Sequence, residues 1–469
     1  MMLRFCAGRD LPRPSHTNNT HQHTMPINPM NRAKEWLGKY RDNLLVNRLI
    51  AVLGIDILVK LSGIILLPIY LRLMSQEEYG LYGYLLSIII TFSVVLNFGL
   101  YIPVSKFYHD FDNDHDRGKL LFTISCLLTG ILIFLVFPIY FFKIDYLLVG
   151  FLFKNQINYP NYRGTVLLAL LVTICNFMLT NFFFTSEKIG ALRRYNMMRI
   201  IFINAISLLG LFIFRNQDKV RVRLEATYLV ELGLFAGFAY FQIARLSSQF
   251  SKKLAVASLK LALPVMLSAI FGIVINFGDK FFLEKYGSFK DMAYYYLAVS
   301  CASVIPLIFT SFQNAWLPLF LKEKDLGRNV AKTNKVLSRL FLIFAAISVC
   351  IILFVKVLLV LGIIQIKYQQ TLYILPILLV SQIVSSLVPL YSNYMVYFEK
   401  THIVSIVGLL ICLVSLSLSF LLIPRFKVYG AAAVSLASNS AYLFVYYLVV
   451  KAYTHKHLQK MQVANESIR

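Results

Sequence analysis

Residues 48–108 read RLIAVLGIDILVKLSGIILLPIYLRLMSQEEYGLYGYLLSIIITFSVVLNFGLYIPVSKFY, and this stretch decides the fold. It contains two apolar runs, residues 49–71 and 81–104. Each run is long enough to cross about 30 Å of hydrocarbon at about 1.5 Å per residue. Because only a short polar segment separates the runs, the pattern predicts a hairpin of two membrane-spanning helices.

Two ionisable residues interrupt the first run. Asp56 and Lys60 are four residues apart and therefore lie on one helical face, where charges against lipid are costly. This face is expected to point inward. One interpretation is a neutral pair that holds the helix to a neighbour, and the other is a substrate cavity in which Lys60 faces an anionic group near the membrane midplane.

The composition indicates an all-α, polytopic membrane protein. The chain has 469 residues, 58% hydrophobic and 14% charged, with a mean hydropathy of +0.68. The formal charge of +24 comes from Lys and Arg clusters between apolar runs. That placement indicates membrane topology and contact with anionic lipids, not a nucleic acid partner. Five of the six cysteines fall in apolar runs and none forms a CxxC pair, so no disulfide, metal or cofactor is predicted.

The amino terminus lacks the apolar core of a signal peptide. Residues 1–29 are polar and are expected to be disordered. Residues 1–47 as a whole are interpreted as a basic cytoplasmic segment, with Met1, Met25 or Met30 as alternative starts.

Ten further apolar runs follow the hairpin, which predicts twelve membrane-spanning helices. They cover residues 120–142, 166–185, 200–214, 227–244, 261–283, 294–314, 337–361, 372–397, 403–423 and 430–453. The side that holds both termini has about twice as many Lys and Arg residues as the other, so both termini are predicted to be cytoplasmic. The run at 200–214 is the least secure, because the loop after it is also basic.

The connections are too short for a soluble catalytic domain. The longest, residues 143–163, has only about twenty residues. This argues against a glycosyltransferase, polymerase or ligase and predicts a protein that is not an enzyme.

The two halves of the chain resemble each other. A shift of 213 residues lays residues 75–82 (SQEEYGLY) over residues 288–295 (SFKDMAYY). Both segments are acidic turns that enter an aromatic-rich run. This predicts two parallel six-helix bundles, residues 48–250 and 251–453, with a cavity between them and a cytoplasmic tail at 454–469.

The segment PIYLRLMSQEEYGLYGYLLSI (68–88), followed by Asn97-Phe98-Gly99, resembles the amino-terminal signature of polysaccharide-biosynthesis membrane proteins. These are lipid-linked oligosaccharide flippases of the superfamily that also contains the MATE drug exporters. Residues 279–283 and 312–318 are similar to the family's carboxy-terminal half, so the resemblance covers about residues 30–453.

The resemblance implies a substrate and a location. The substrate would be an undecaprenyl-diphosphate-linked oligosaccharide that crosses the bacterial cytoplasmic (inner) membrane during assembly of lipopolysaccharide O-antigen, capsule or exopolysaccharide. Polysaccharide polymerase and glycosyltransferases would be partners, together with membrane lipids. Transport would proceed by alternating access.

Candidate residues for transport lie inside or beside the runs. Glu231 has no basic residue within a helical turn, which predicts an unpaired acid that couples an ion gradient; a Glu that faces water at the interface is the alternative. Asp279 and Lys280 close the seventh run, either as cavity residues beside a bent helix or as a charged end that reaches headgroups. Gln382 and Asn393 place amides along the tenth run, for sugar contacts or for helix packing.

A basic cluster precedes the fifth run. Arg193, Arg194 and Arg199, with Lys188, would capture a lipid diphosphate before translocation, or they only set the topology.

Two other transporters share the architecture. A cation-coupled multidrug exporter would have an acidic cavity, against which Lys60 argues. A lipid II flippase would have additional helices, which the count of twelve disfavours. A membrane scaffold without transport is the remaining alternative.

Overall fold

The computed structural model describes residues 62–466, apart from residues 64, 156, 244–248, 324 and 399. Within those residues the regular structure is helical and contains no strand. The predicted all-α class is therefore confirmed. Residues 1–47, Asp56 and Lys60 lie outside the described residues.

The helices follow one another with short connections, and the first described one is residues 65–73 (α1). The others are α2 (Gln76–Leu96), α3 (Tyr101–Phe107), α4 (Asp114–Phe141), α5 (Ile144–Leu152), α6 (Tyr159–Thr185), α7 (Ile189–Ile213), α8 (Lys219–Ile243), α9 (Lys252–Tyr286), α10 (Phe289–Ala302), α11 (Val304–Lys322), α12 (Leu326–Val360), α13 (Thr371–Tyr397) and α14 (Thr401–Glu466). A break at Lys427 (φ 46°, ψ −118°) divides α14 into two helices.

Nine helical segments within the described residues are long and apolar enough to cross a membrane. The predicted number of twelve stays a prediction. Most of the first run lies outside the described residues, α9 is not among the nine segments, and the predicted runs 403–423 and 430–453 fall in one segment, His402–His457. Most helices begin before their predicted apolar runs, and three differences affect the interpretation. α7 starts at Ile189, before its apolar run, because Arg193 and Arg194 lower the hydropathy without breaking the helix. α9 continues to Tyr286, past the predicted end at 283. The 143–163 connection contains α5.

The 213-residue alignment corresponds to matching local structures. Ser75 caps α2 by accepting a hydrogen bond from the Glu78 N–H (3.1 Å), and the Glu78 carboxylate accepts one from the Ser75 N–H (2.6 Å). Ser288 and Asp291 form the same reciprocal box at α10, at 3.3 and 3.0 Å. Each box satisfies two backbone donors that a helix start otherwise leaves unpaired. The acidic turns of the sequence are thus helix starts of one type.

These equivalent helices cross at close range. A Cβ atom on Gly80 would lie 1.8 Å from the Phe289 carbonyl oxygen, and one on Gly83 would lie 2.4 Å from the Tyr296 ring. Small residues allow such an approach, and dispersion contacts then hold helices together where lipid removes the hydrophobic driving force. The α2–α10 crossing therefore depends on glycine at two positions.

We call the end of the molecule where α2 and α10 begin the Ser75 end, and the end that holds the α6–α7 turn the Lys188 end. The largest hydrophobic cluster lies towards the Ser75 end and includes residues from both predicted halves, such as Tyr79 and Leu85 with Tyr295 and Leu297. Two separate clusters lie towards the Lys188 end. One contains residues of α3, α4, α6 and α7 with Ala262 of α9, and the other contains only residues that follow 274.

Polar contacts also join the two predicted halves at the Ser75 end. Glu284 of α9 is fully buried, and its carboxylate accepts hydrogen bonds from the backbone N–H groups of Lys154 (2.8 Å) and Asn155 (2.9 Å). Arg72 Nη2 donates to the Gly362 carbonyl at 2.7 Å. Hydrogen bonds to a buried carboxylate are stronger than those between neutral groups. Glu284 therefore acts as a latch between the α5–α6 connection and α9.

The segment before α13 packs on α2 at the same end. Gln76 Nε2 donates to the Lys367 carbonyl at 2.6 Å. Partial burial lowers the pKa of the Lys367 ammonium, while nearby Glu78 opposes this effect. Both observations place this segment close against the start of α2.

Replacing Gly80 with Ala is expected to destabilise the protein by about 1–3 kcal/mol, because the new methyl group overlaps the Phe289 carbonyl. The thermal unfolding midpoint of the detergent-solubilised protein measures the effect. Gly130→Ala is the matched control, since a Cβ there has no heavy atom within 4 Å. Equal midpoints for both variants would show that the crossing is not tight.

Replacing Glu284 with Gln is expected to loosen the latch, because the amide offers one acceptor oxygen where the carboxylate offers two. Hydrogen–deuterium exchange of the Lys154 and Asn155 amides should become at least about tenfold faster, which corresponds to about 1.4 kcal/mol. Glu77→Gln is the control, because the Glu77–Lys290 pair is exposed. Unchanged protection in Glu284→Gln would rule out the latch.

Candidate functional site

A polar cavity lies among α9, α10, α13 and α14. It consists of two adjoining spaces of about 330 and 60 Å³. Ile275, Asn276, Ser385 and Asn439 line both spaces. Amides and hydroxyls on several helices therefore converge within segments that are otherwise strongly apolar.

An acid, an ammonium and a phenol form one wall of the smaller space. Lys280 Nζ lies 3.1 Å from Asp279 Oδ1 and donates to the Asn276 carbonyl at 2.7 Å. The Tyr295 hydroxyl donates to Asp279 Oδ2. Asp279 is only 7% exposed. Because the carboxylate has both an adjacent cation and a hydrogen-bond donor, the pair is electrically neutral and stable in a low-dielectric site.

Hydroxyl and amide groups of α13 and α14 continue the cavity wall. Ser381 Oγ lies 2.8 Å from Ser435 Oγ, and Asn439 Nδ2 donates to Ser381 Oγ at 2.9 Å. Ser438 also lines the smaller space, and its buried hydroxyl has no hydrogen-bond partner among the described residues. Such a wall offers both donors and acceptors, which suits hydroxyl groups of a sugar or water molecules.

A second buried polar network lies between α6, α7 and α8. Arg199 forms an ion pair with Glu231, and its Nε is 3.2 Å from Glu231 Oε1. Asn176 Nδ2 donates to Glu231 Oε2 at 2.8 Å, and the Tyr195 hydroxyl donates to Asn176 Oδ1. Glu231 is 5% exposed. This network binds three helices through one carboxylate and one amide.

Comparison with known proteins identifies the family. Residues 45–324 match a family model described as polysaccharide biosynthesis protein. The chain belongs to this family. The match covers more than half of the chain, and it confirms the resemblance carried by the hairpin sequence. No curated protein matches the sequence.

Solved structures give the fold of this polysaccharide biosynthesis protein. The lipid II flippase MurJ in an inward closed conformation is 14% identical, with a TM-score of 0.66 and coverage of 87% of each chain. An inward-facing MATE multidrug transporter is also 14% identical, with a TM-score of 0.61 over 88% of this chain and 96% of that one. A mutant of the Vibrio cholerae MATE transporter VcmN has 14% identity and a TM-score of 0.57, over 91% and 98%. The protein is therefore a multi-pass membrane protein with the fold of these transporters.

The structure brings some predicted site residues together. Asp279, Lys280 and Gln382 line the same space. Asn393 does not line either space; its Oδ1 instead accepts a hydrogen bond from Gln313 Nε2 at 3.0 Å. Asp279 and Lys280 do not close their helix, because α9 continues for about two more turns. Lys280 bonds to its own helix backbone, so the interpretation as a helix end that reaches headgroups is wrong.

The description of Glu231 as an unpaired acid is also wrong. Its partner Arg199 lies on α7, 32 positions away in sequence, so a search within one helical turn could not find it. Arg199 is therefore separate from the exposed Arg193 and Arg194 at the start of α7. Diphosphate capture by Arg193 and Arg194, and ion coupling by Glu231, stay predictions.

Sequence reasoning missed one basic residue that lies between aromatic rings. The Arg223 guanidinium lies 3.7 Å from the centre of the Tyr70 ring and 3.9 Å from that of Tyr82. Cation–π contacts stabilise this guanidinium, which forms no ion pair with a described residue. The hydropathy pattern assigns Arg223 to a loop, although the i,i+4 pair of Arg221 and Glu225 indicates that the helix begins before the apolar run.

Replacing Arg199 with Met is expected to destabilise the protein by about 3–5 kcal/mol, because Glu231 would remain buried without its cation. Adding Glu231→Gln should restore most of the lost thermal stability. Arg221→Met is the control, since its pair with Glu225 is partly exposed and contributes about 1 kcal/mol or less. An Arg199→Met variant with the same thermal unfolding midpoint as the wild type would contradict the structural role of the pair.

Proposed function

We propose that the protein is a flippase for an undecaprenyl-diphosphate-linked oligosaccharide. It acts in the bacterial cytoplasmic membrane, with both termini in the cytoplasm, during assembly of O-antigen, capsule or exopolysaccharide. Membership of the polysaccharide biosynthesis family is the observation that carries this proposal. The fold shared with a lipid II flippase and with MATE exporters supports transport as the activity, without a catalytic step.

The arrangement of the core supports alternating access. A single apolar cluster joins the two halves at the Ser75 end, whereas separate clusters lie at the Lys188 end. Within the described residues, α9 is the link between the first of these separate clusters and the second half. The excess of Lys and Arg favours a cytoplasmic location for the Lys188 end. With that orientation, the conformation admits substrate from the cytoplasm and is closed on the opposite side.

The polar head of the substrate needs polar contacts along its path across the membrane. The sugars and the diphosphate need hydrogen bonds and cations throughout the crossing, because an unpaired polar group in hydrocarbon costs several kcal/mol. Exposed Arg193 and Arg194 stand near the cytoplasmic entrance and receive the diphosphate. The cavity with Asp279, Lys280 and Gln382 offers contacts to sugar hydroxyls. Asp56 and Lys60 remain candidate cavity residues outside the described residues.

The ion pair of Glu231 places a condition on ion coupling. Binding a proton or a cation at Glu231 competes with Arg199 for the same carboxylate. Coupling therefore requires α7 and α8 to move apart, or Arg199 to find another acceptor, in the opposite conformation. This condition links occupancy at Glu231 to helix movement, as an ion-driven transporter requires.

Reconstitution tests the function directly. Purified protein in liposomes should move a fluorescent undecaprenyl-diphosphate oligosaccharide between leaflets, measured with a quencher that does not cross the membrane. Asp279→Asn combined with Lys280→Gln keeps side-chain size, removes both charges and is expected to reduce the rate at least about tenfold (about 1.4 kcal/mol). Lys332→Gln is the control, because Lys332 pairs with Glu323 away from the cavity and is 57% exposed.

The same assay with other substrates distinguishes the alternative functions. Transport of a cationic dye, with no movement of the oligosaccharide lipid, would make the protein a drug exporter. Movement of lipid II alone would make it a lipid II flippase. No transport of any of the three by protein that unfolds cooperatively would reject the proposal.

A further inference from the structure

An apolar groove runs between α2, α4, α5 and α6 in the first half of the chain. Its volume is about 160 Å³. Leu85, Ile88, Phe92 and Leu96 line it from one face of α2. Leu85 and Leu96 are eleven positions apart and thus about 16 Å apart along the helix. Ile139 of α4 and Leu167 of α6 face it from the other walls.

Polar groups occur only at one end of the groove's lining, towards the Ser75 end. Arg163 Nε lies 2.5 Å from Asp145 Oδ2, and the Tyr159 hydroxyl donates to the same oxygen at 2.9 Å. The guanidinium also stacks on Tyr140, 3.9 Å from the ring centre. This neutral cluster closes the groove at the level where α4 ends and α6 begins.

The surroundings of the groove face hydrocarbon. Large apolar side chains on the outer surfaces of α4 and α5 are more than half exposed, among them Phe134, Phe137, Phe141, Leu147 and Phe151. In a membrane protein such a surface contacts lipid and not water. An occupant that enters from the side is therefore a hydrocarbon chain.

The charge at the end of the groove indicates an anionic headgroup. Lys143 and Lys154 flank α5, have exposed side chains and form no ion pair with any residue that the structure describes. Arg163 balances the charge of Asp145. The two lysines therefore leave one positive charge at each end of α5, the helix whose first turn supplies Asp145 to the polar cluster. Each lysine near a membrane surface attracts anionic lipid by about 1 kcal/mol.

We propose that this groove binds the polyprenyl tail of the lipid-linked substrate, with the diphosphate attracted to the positive surface that Lys143 and Lys154 give the ends of α5. This inference rests on the proposed function, which supplies a polyprenyl diphosphate as substrate. The polar end of the groove lies at the Ser75 end, which is the side to which the oligosaccharide is delivered. It therefore holds the tail on the product side while the head completes its crossing.

The binding of undecaprenyl diphosphate itself tests the proposal. Native mass spectrometry of the detergent-solubilised protein measures the affinity, with phosphatidylglycerol as the comparison lipid. Ile139→Trp fills the groove and should weaken undecaprenyl diphosphate binding at least about tenfold (about 1.4 kcal/mol). Ile133→Trp is the matched control, because Ile133 is on the same helix, is 61% exposed and does not line the groove.

Surface lysines provide a variant that does not disturb packing. Lys143→Gln with Lys154→Gln should weaken undecaprenyl diphosphate binding at least about tenfold, while the thermal unfolding midpoint stays unchanged. Equal loss of phosphatidylglycerol binding in Ile139→Trp would overturn the proposal in favour of a general lipid groove. Unchanged binding of undecaprenyl diphosphate in both variants would also overturn it.

The binding and translocation experiments distinguish failure of the groove proposal from failure of the proposed function. If the wild type translocates the substrate but the groove variants bind undecaprenyl diphosphate normally, the groove proposal is rejected and the flippase proposal stands. Groove-dependent binding without translocation by the wild type would support the groove and reject the flippase.

Discussion

The contact of Gly80 with the Phe289 carbonyl is the constraint on which the rest of the structure depends. It sets the separation of α2 and α10, which begin with the same capping box and belong to different predicted halves. Tyr79 then reaches Tyr296, with ring centres 5.5 Å apart, and Tyr368, at 6.3 Å. The shared apolar cluster forms around these rings. Since lipid is as apolar as these side chains, close backbone packing rather than burial from water decides where the halves meet.

Three buried carboxylates inside the helical segments are each paired with a cation. Glu231 has Arg199, Asp279 has Lys280, and Asp145 has Arg163. Glu284 is different, because its partners are backbone amides of the other half. A carboxylate paired within its own half is neutralised in any conformation that keeps that half intact. The carboxylate of Glu284 loses its partners whenever the halves separate at the Ser75 end, so its desolvation cost opposes opening.

The sequence predicted the class of fold because hydropathy and helix length are local properties. It predicted the equivalence of residues 75–82 and 288–295 because a capping box needs only Ser followed three residues later by an acid. The sequence-based prediction was wrong where a residue's partner is set by tertiary packing. The partner of Glu231 lies on another helix, and Asn393 turns to Gln313 instead of the cavity. Asn439, which joins Gln382 in the cavity wall, comes from the last helix and carries no local signal.

The latch at Glu284 and the proposed groove share one segment, the α5–α6 connection. Lys154 contributes its backbone N–H to Glu284 and its exposed ammonium to the surface beside the groove. In the proposal above, a diphosphate that binds the Lys154 ammonium acts on the α5–α6 connection, which also supplies the hydrogen bonds of the latch. Binding energy at the headgroup can thus oppose the latch directly, because both act on the same short segment. A ligand shifts a conformational equilibrium only by its difference in affinity for the two states, and the proposal assigns that difference to this segment.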